Sequence, residues 1–373
     1  MRSSTLAGAT DVVRLNRPAP PDIDAFLADA REIVESGWLA GGRHVAALER
    51  ELAPWTGRDN VVAVTTATSG LIAALTTLGE PGGEVIIPGY TFLATWQSVL
   101  WARMTPVVAD VDERGLLDPD AALAAVTPRT RVILPVHLSG QPAPATELAR
   151  VAQRAGAALV FDAAHALGAR HDDRAVGGDG DAEVFSISAT KPLGAGEGGF
   201  ITARDAKLDQ QLRSFAFYGG RPVDIDTYGP GLNLRVPEIT AALARRCLER
   251  FDAQLDRRAT IHQRYAAGWA SLPLRLSGPL AGQRSSHKEQ MVWLEDPADR
   301  APLVDWLTAA GIETRLYHSI AIPDLTAFEG RVDSVDRARW LADRSVCVPM
   351  HGRLSDDEVD RVIEAVASFF RTR

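Results

Sequence analysis

Two cysteines in 373 residues, Cys247 and Cys347, lie far apart and form neither a disulfide framework nor a metal-type spacing, so no metal is expected. The default is then a reducing, cytoplasmic setting. No apolar run approaches the roughly 20 residues needed to span a bilayer. The opening stretch MRSSTLAGATDVVRLNRPAP has no continuous apolar segment of the kind a signal peptide carries. A tract dense in Lys and Arg is also missing, and the formal charge is -8, which argues against a nucleic-acid footprint. Internal repeats and low-complexity segments are absent. What is present is ordinary for a soluble globular protein, 46% hydrophobic and 24% charged residues in a chain long enough for a large core.

The first residues end in Pro18-Ala19-Pro20-Pro21, which suits an extended arm, and Asp22 to Glu35 has the spacing of a helix. A second amphipathic stretch runs from His44 to Leu52. Asn60 to Thr65 reads as a buried strand leading through Thr66-Ala67-Thr68-Ser69-Gly70 into a helix over Leu71 to Leu78. Further strands are expected at 84–88, 106–111, 131–136, 158–161, 182–186 and 200–202. Helices are expected over 94–101, up to 126, over 147–155 and over 205–215. Alternation of this kind implies a mostly parallel central sheet flanked by helices, with ligands bound at the carboxyl ends of the strands. Tyr218 to Leu234 reads as an irregular loop, followed by a long helix from Ile239 towards Leu255 that continues into a second helical stretch through Trp269. From Leu272 the texture becomes a small α+β unit, with strands at 291–294, 313–316 and 345–349 and helices over 301–310 and 356–370. The expected division is an arm and helix over 1–36, a large domain over 37–250 and a small C-terminal domain over 251–373.

The segment VFSISATKPLGAGEGGFIT, 184–202, centres on Lys191, set between an apolar run and Gly194, Gly196, Gly198 and Gly199. An amine so placed is a candidate Schiff base, because apolar walls or nearby positive charge lower its pKa towards neutrality. The hydroxyl-rich helix start at Thr66 to Ser69 offers backbone N–H groups to an anion. Taken together, the strand-end residues Thr68, Phe92, Asp162, His165, Ser186 and Lys191 match what pyridoxal phosphate (PLP) requires. Thr68 and Ser186 would take its phosphate, Phe92 would stack on its ring, Lys191 would condense with its aldehyde, and Asp162 would hold its ring nitrogen protonated. Singly, each residue also has a plain structural reading: a capping Thr, a core Phe, a turn-capping Asp, a satisfied core His.

In order along the chain, GEVIIPGYTFLAT (83–95), PVHLSGQPA (135–143), FDAAHALGAR (161–170), VFSISATKPLGAGEGG (184–199), GPGLNLRVPEITAAL (229–243) and GIETRLYH (311–318) resemble the DegT/StrS family of fold-type-I, PLP-dependent aminotransferases. The resemblance runs from about Gly37 to the C-terminus. It implies an aminotransferase that cycles PLP and pyridoxamine phosphate, with Lys191 as the Schiff-base lysine and Asp162 at the pyridine nitrogen. His165 would lie on the ring hydroxyl, Phe92 would stack, and Ala67, Thr68 and Ser186 would lie around the phosphate. It further implies that Asn233 reaches the neighbouring subunit's cofactor in a homodimer with composite active sites. Arg235, Tyr317 and His318 are left as substrate-facing residues. The implied reaction moves an amino group from L-glutamate or L-glutamine to a ketone carbon of a keto-sugar attached to a nucleotide. A cyclitol or non-sugar carbonyl acceptor, and a non-catalytic PLP-binding regulatory protein, are the alternatives. Departures from the family pattern fall at Ala67 (for glycine), Phe161 (for glutamate), Ser139 (for an aromatic) and the inverted pair Tyr317-His318.

Overall fold

The computed structural model describes residues 12–221, 224–227 and 229–373, so the first eleven residues of the expected N-terminal arm lie outside it. Its centre is an eight-stranded sheet in the order Val61–Val64, Gly199–Ala203, Ala182–Ser186, Ala158–Asp162, Thr130–Ile133, Glu84–Pro88, Thr105–Ala109, Arg331–Val332. Pairing is parallel except where Gly199–Ala203 runs antiparallel to both its neighbours. The strands Val61–Val64, Glu84–Pro88, Ala182–Ser186 and Gly199–Ala203 are buried from end to end, because helices cover both faces. This is why they read as mainly apolar runs without alternation, and why polar residues that they carry, such as Glu84, Glu183 and Thr202, are buried too. Among the described residues no helix is long and apolar enough to cross a membrane.

A three-stranded antiparallel sheet, Leu274–Leu276, Gln290–Leu294 and Ser345–Val348, forms the second layer. Its core is shared with the helices Phe251–Gly268, Arg300–Ala309 and Asp356–Arg371 through Ile261, Tyr265, Val292, Leu307, Val362 and Val366. The short edge strand Arg331–Val332 belongs to the C-terminal part of the chain yet joins the large sheet beside Thr105–Ala109.

Several local expectations are corrected. The helix after the first strand starts at Ala67 instead of Leu71, because Thr66 caps it in a reciprocal box with Ser69. The short helix before Thr127 is Pro119–Ala124, started by Asp118 with proline in its first turn. No strand forms over 313–316. There the Glu313 carboxylate binds Arg14 and the Leu15 N–H, and only Arg315 bridges to Cys347. The loop over 218–234 contains a hairpin, Gly220–Arg221 with Asp224–Thr227. The two helical stretches over 239–269 are Glu238–Leu248 and Phe251–Gly268, so the break falls at Glu249 and Arg250 instead of near Leu255, and the helix Asp336–Arg344 has no counterpart in the sequence reading.

Helix Arg43–Thr56 begins at Gly42, which has no capping side chain. The buried Glu238 supplies the missing acceptor from 196 residues away, taking N–H groups from Gly42 at 2.9 Å, His44 at 2.8 Å and Val45 at 3.0 Å. Hydrogen bonds to a buried charged acceptor exceed ordinary ones in worth. Glu238→Ala is therefore expected to destabilise the fold by about 2–3 kcal/mol, read as a lower urea midpoint; an unchanged midpoint would remove Glu238 from this role.

Candidate active site

Asp162 is the last residue of its strand, and burial leaves its carboxylate to be satisfied locally. Thr95 Oγ1 donates to Oδ2 at 2.8 Å and the Ala164 N–H to Oδ1 at 3.1 Å. Thr95 lies in helix Leu93–Trp101, whose N-cap is Phe92. The same helix thus carries the donor to Asp162 and an aromatic ring left 45% exposed. Burial raises the Asp162 carboxyl above its ordinary range, opposed by Thr95, the Ala164 N–H and the charge of Lys191.

Lys191 sits in a tight turn between two sheet strands. Its N–H donates to Ser188 O at 2.9 Å, Ala195 N–H closes onto Ile187 O at 2.8 Å, and Asn16 Nδ2 holds the Thr190 carbonyl at 2.6 Å. The amine is pushed down to about 8, first by burial and then by the Lys288 ammonium, against Glu289, Asp162 and Glu197. At neutral pH an amine with that value has an appreciable uncharged, nucleophilic fraction.

The anion-site candidates meet at the next strand ends. Register pairs Val64 with Gly199 and Gly199 with Ser186. A Cβ on Gly199 would come 2.6 Å from Phe185 O and 2.7 Å from Ala67 N. Only glycine lets the helix start, with Ala67 and Thr68 in its first turn, approach the strand that ends at Ser186. The first N–H groups of that helix have no intrahelical acceptor and point with the positive end of its dipole.

His165 is buried and held by Ser139, whose N–H donates to its Nδ1 at 3.2 Å. The neutral ring must then carry its proton on Nε2. Burial, with Lys191 and Lys288, holds the imidazole well below its usual pKa, so it stays neutral. Ser139 and Gly140 both have positive φ, 57° and 84°, and a Cβ at Gly140 would meet Ser286 Oγ at 2.0 Å. His318 is buried, its Nε2 3.0 Å from Glu289 Oε1, while Tyr317 remains partly exposed.

Asn233 and Arg235 are not brought into this cluster. They are exposed and bonded to each other, Arg235 Nε to Asn233 Oδ1 at 2.9 Å, with the guanidinium over Phe217. Arg235 lines a cavity of about 1110 Å3 with Trp38, Glu49, Arg213 and Phe217. None of Lys191, Asp162 and His165 lines this cavity.

Three residues at the site escaped the sequence reading: Thr95, Lys288 and Glu289. Thr95 stands one helical turn after Thr91, and their hydroxyls lie 2.9 Å apart. Lys288 is one of only three lysines in the chain, with Lys191 and Lys207, and that scarcity was its one visible signal.

This arrangement, strand-end aspartate, turn lysine and hydroxyl-rich helix start on one edge of a mixed but mostly parallel sheet, defines the α/β architecture of fold-type-I aminotransferases. The family profile of the DegT/DnrJ/EryC1/StrS aminotransferases matches residues 21–367, and the chain belongs to that family. It is 32% identical over 362 residues to the spore coat polysaccharide biosynthesis protein SpsC of Bacillus subtilis (strain 168), covering 91% of this chain and 93% of that protein. Among solved structures, the aminotransferase TlmJ from Streptoalloteichus hindustanus superposes with a TM-score of 0.90 at 28% identity, covering 97% of this chain and 100% of that one. DesI, solved in the presence of its TDP-sugar product, gives 0.89 at 33% identity, covering 97% and 95%.

Thr95→Val keeps the side-chain volume and removes the hydroxyl donor that favours the ionised Asp162. The expected outcome is an Asp162 carboxyl that holds its proton to higher pH, followed by 13C NMR of the labelled, cofactor-free protein; an unmoved titration would show that Thr95 does not control it.

Proposed function

We propose that the protein uses PLP to transfer an amino group from L-glutamate or L-glutamine to a ketone carbon of a nucleotide-linked keto-sugar. The observation that carries this reading is the pairing, at one sheet edge, of a turn lysine with a lowered pKa and a buried strand-end carboxylate. The direct partners of that carboxylate are neutral, a hydroxyl and an amide. A buried carboxyl with a raised pKa suits a group that arrives with a protonated ring nitrogen, since the pair then restores the charge that burial disfavours. The helix start at Ala67 and Thr68, with Ser186, suits a phosphate, and the exposed ring of Phe92 suits a planar heterocycle.

When bound, PLP supplies an aldehyde that condenses with amines and a protonated ring that accepts the electrons of a breaking C–H bond. The chain's own residues do the rest. Asp162 would keep the ring nitrogen protonated, and His165, neutral with its proton on Nε2, would be the partner of the ring hydroxyl. The Lys191 amine would remove the Cα proton as general base and redeliver it as general acid. Relatives whose names speak of polysaccharide biosynthesis and of a TDP-sugar product support the sugar acceptor. In this reading Asn233 and Arg235, remote from the chain's own lysine, serve the site of a second subunit in a homodimer. The large and small domains divide near residue 250.

The visible spectrum of the protein with PLP, before and after L-glutamate, tests the reading. The band of lysine-bound cofactor is expected to form and then convert to the pyridoxamine form. A band that no amino acid moves would end the transaminase reading, and no band at all would end the assignment of Lys191. Lys191→Ala is expected to lower transamination at least about a thousandfold, measured as keto-acid release with a keto-sugar acceptor; appreciable turnover would overturn its role.

A further inference from the structure

His165 lies between a backbone N–H and a carboxylate that would set its ring in opposite ways. The Ser139 N–H donates to Nδ1 at 3.2 Å, which leaves the proton of the neutral ring on Nε2. Glu289 Oε1 stands 3.9 Å from the same Nδ1. A carboxylate facing an imidazole nitrogen ordinarily draws the ring proton to that nitrogen, because the tautomer follows the hydrogen bond on offer. Ser139, His165, Lys288, Glu289 and His318 are all buried, so bulk solvent does not settle the competition.

The carboxylate is occupied elsewhere. Ser139 Oγ donates to Oε1 at 3.1 Å, His318 Nε2 lies 3.0 Å from the same oxygen, and Lys288 Nζ lies 2.6 Å from Oε2. Two donors fill the lone pairs of Oε1, and the ammonium holds Oε2. Ser139 therefore works on both sides: its N–H takes Nδ1, and its hydroxyl takes the carboxylate oxygen that faces Nδ1.

That double contact requires a backbone that a residue with a side chain seldom adopts. The φ of Ser139 is 57°, in the left-handed region. Segment 285–289 holds it there. The Lys288 N–H donates to Ser139 O at 3.2 Å, the Ser286 N–H to Gly140 O at 3.3 Å, and Ser286 Oγ to the His165 carbonyl. From behind, the buried Arg258 donates to the carbonyls of His287, Lys288 and Met350, which pins that segment in turn.

We propose that Ser139 is a positioning residue for His165: interposed between the ring and Glu289, it withholds the carboxylate from Nδ1 and keeps the imidazole proton on Nε2. This rests on the reading of His165 as the partner of the cofactor's ring hydroxyl, to which Nε2–H is a donor and the other tautomer would turn a lone pair. Ser139 and His318, two of the departures from the family pattern, then have a common purpose, since both occupy Glu289 Oε1.

Nitrogen-15 NMR of the full-length, cofactor-free protein with labelled histidine reads the tautomer directly, because a protonated ring nitrogen and a bare one resonate far apart. The chain has eight histidines, and the signals lost in His165→Asn identify the ring. In the wild type, Nδ1 is expected at the bare-nitrogen position and Nε2 at the protonated one. Ser139→Ala removes the hydroxyl and leaves the N–H, so the freed Oε1 competes for the ring proton and the Nδ1 signal should move towards the protonated position. Adding Glu289→Gln to Ser139→Ala replaces the carboxylate with an amide, and the wild-type pattern should return. A wild-type His165 protonated at Nδ1 overturns the proposal whatever the variants do. An unmoved His165 in a Ser139→Ala protein that melts normally overturns it too, as does a shift that Glu289→Gln fails to reverse, because the carboxylate is then not what Ser139 holds off. Should Ser139→Ala fail to fold, Ser139→Gly, which suits the positive φ, takes its place with the same readings. Failure of the amino-transfer reading looks different: the His165 tautomer would still depend on Ser139 and Glu289, while PLP and glutamate left the visible spectrum unchanged.

Discussion

Charge buried at the carboxyl ends of an apolar sheet is the constraint on which this molecule depends. Strands that are buried along their whole length give a rigid platform, but they offer no solvent to ionised groups at their ends. Each buried carboxylate therefore has to find its own compensation, and the two nearest Lys191 find different ones. Asp162 has neutral donors and its pKa is raised; Glu289 has Lys288 and His318 and its pKa is depressed. The consequences for stability have opposite signs. The Glu289 contribution is present above the unfolded carboxylate value and is lost as pH falls through its lower folded pKa. The Asp162 contribution is present below its unfolded value and is lost as pH rises through its raised folded pKa. Asp162 is thus a carboxylate whose burial is met only by neutral donors, and Glu289 is one compensated by charge within the protein.

Close backbone approach is the second requirement. Gly199 lets the Thr66-capped helix start lie against the strand ending at Ser186, and Gly140 lets the 285–289 segment reach His165. Long-range side chains complete what local sequence leaves open. Glu238 caps a helix it does not belong to, Asn16 grips the carbonyl next to Lys191, and Arg258 satisfies three carbonyls of distant segments. Each interaction joins segments far apart in the sequence.

The strands of that sheet and most of its helices were legible because their signals are local: β-branched runs, 3.6-residue spacing, Asp and Ser at helix starts. The misreadings share a cause. The hairpin within 218–234 and the edge strand Arg331–Val332 are very short, too short for a periodic signal. The segment 313–316 has strand-like composition, but its carboxylate is engaged by the N-terminal arm. Thr66 and Ser69 form a capping box without the usual acidic residue, so the helix starts a turn early.

For the site, sequence alone singled out the candidate pair proposed above, Lys191 and Asp162, together with the strand ends that carry them. A lysine among glycines and an aspartate closing an apolar strand are written in adjacent residues. Tertiary structure alone decided how those groups are held. Thr95 reaches Asp162 across 67 positions, and Glu289 reaches Ser139 across 150. Asn233 and Arg235 were named from sequence, yet the fold sets them apart from the lysine of their own chain, beside the large cavity. Identity follows from local pattern, whereas protonation state follows from burial and from charges that only folding brings near, and no local pattern encodes those distances.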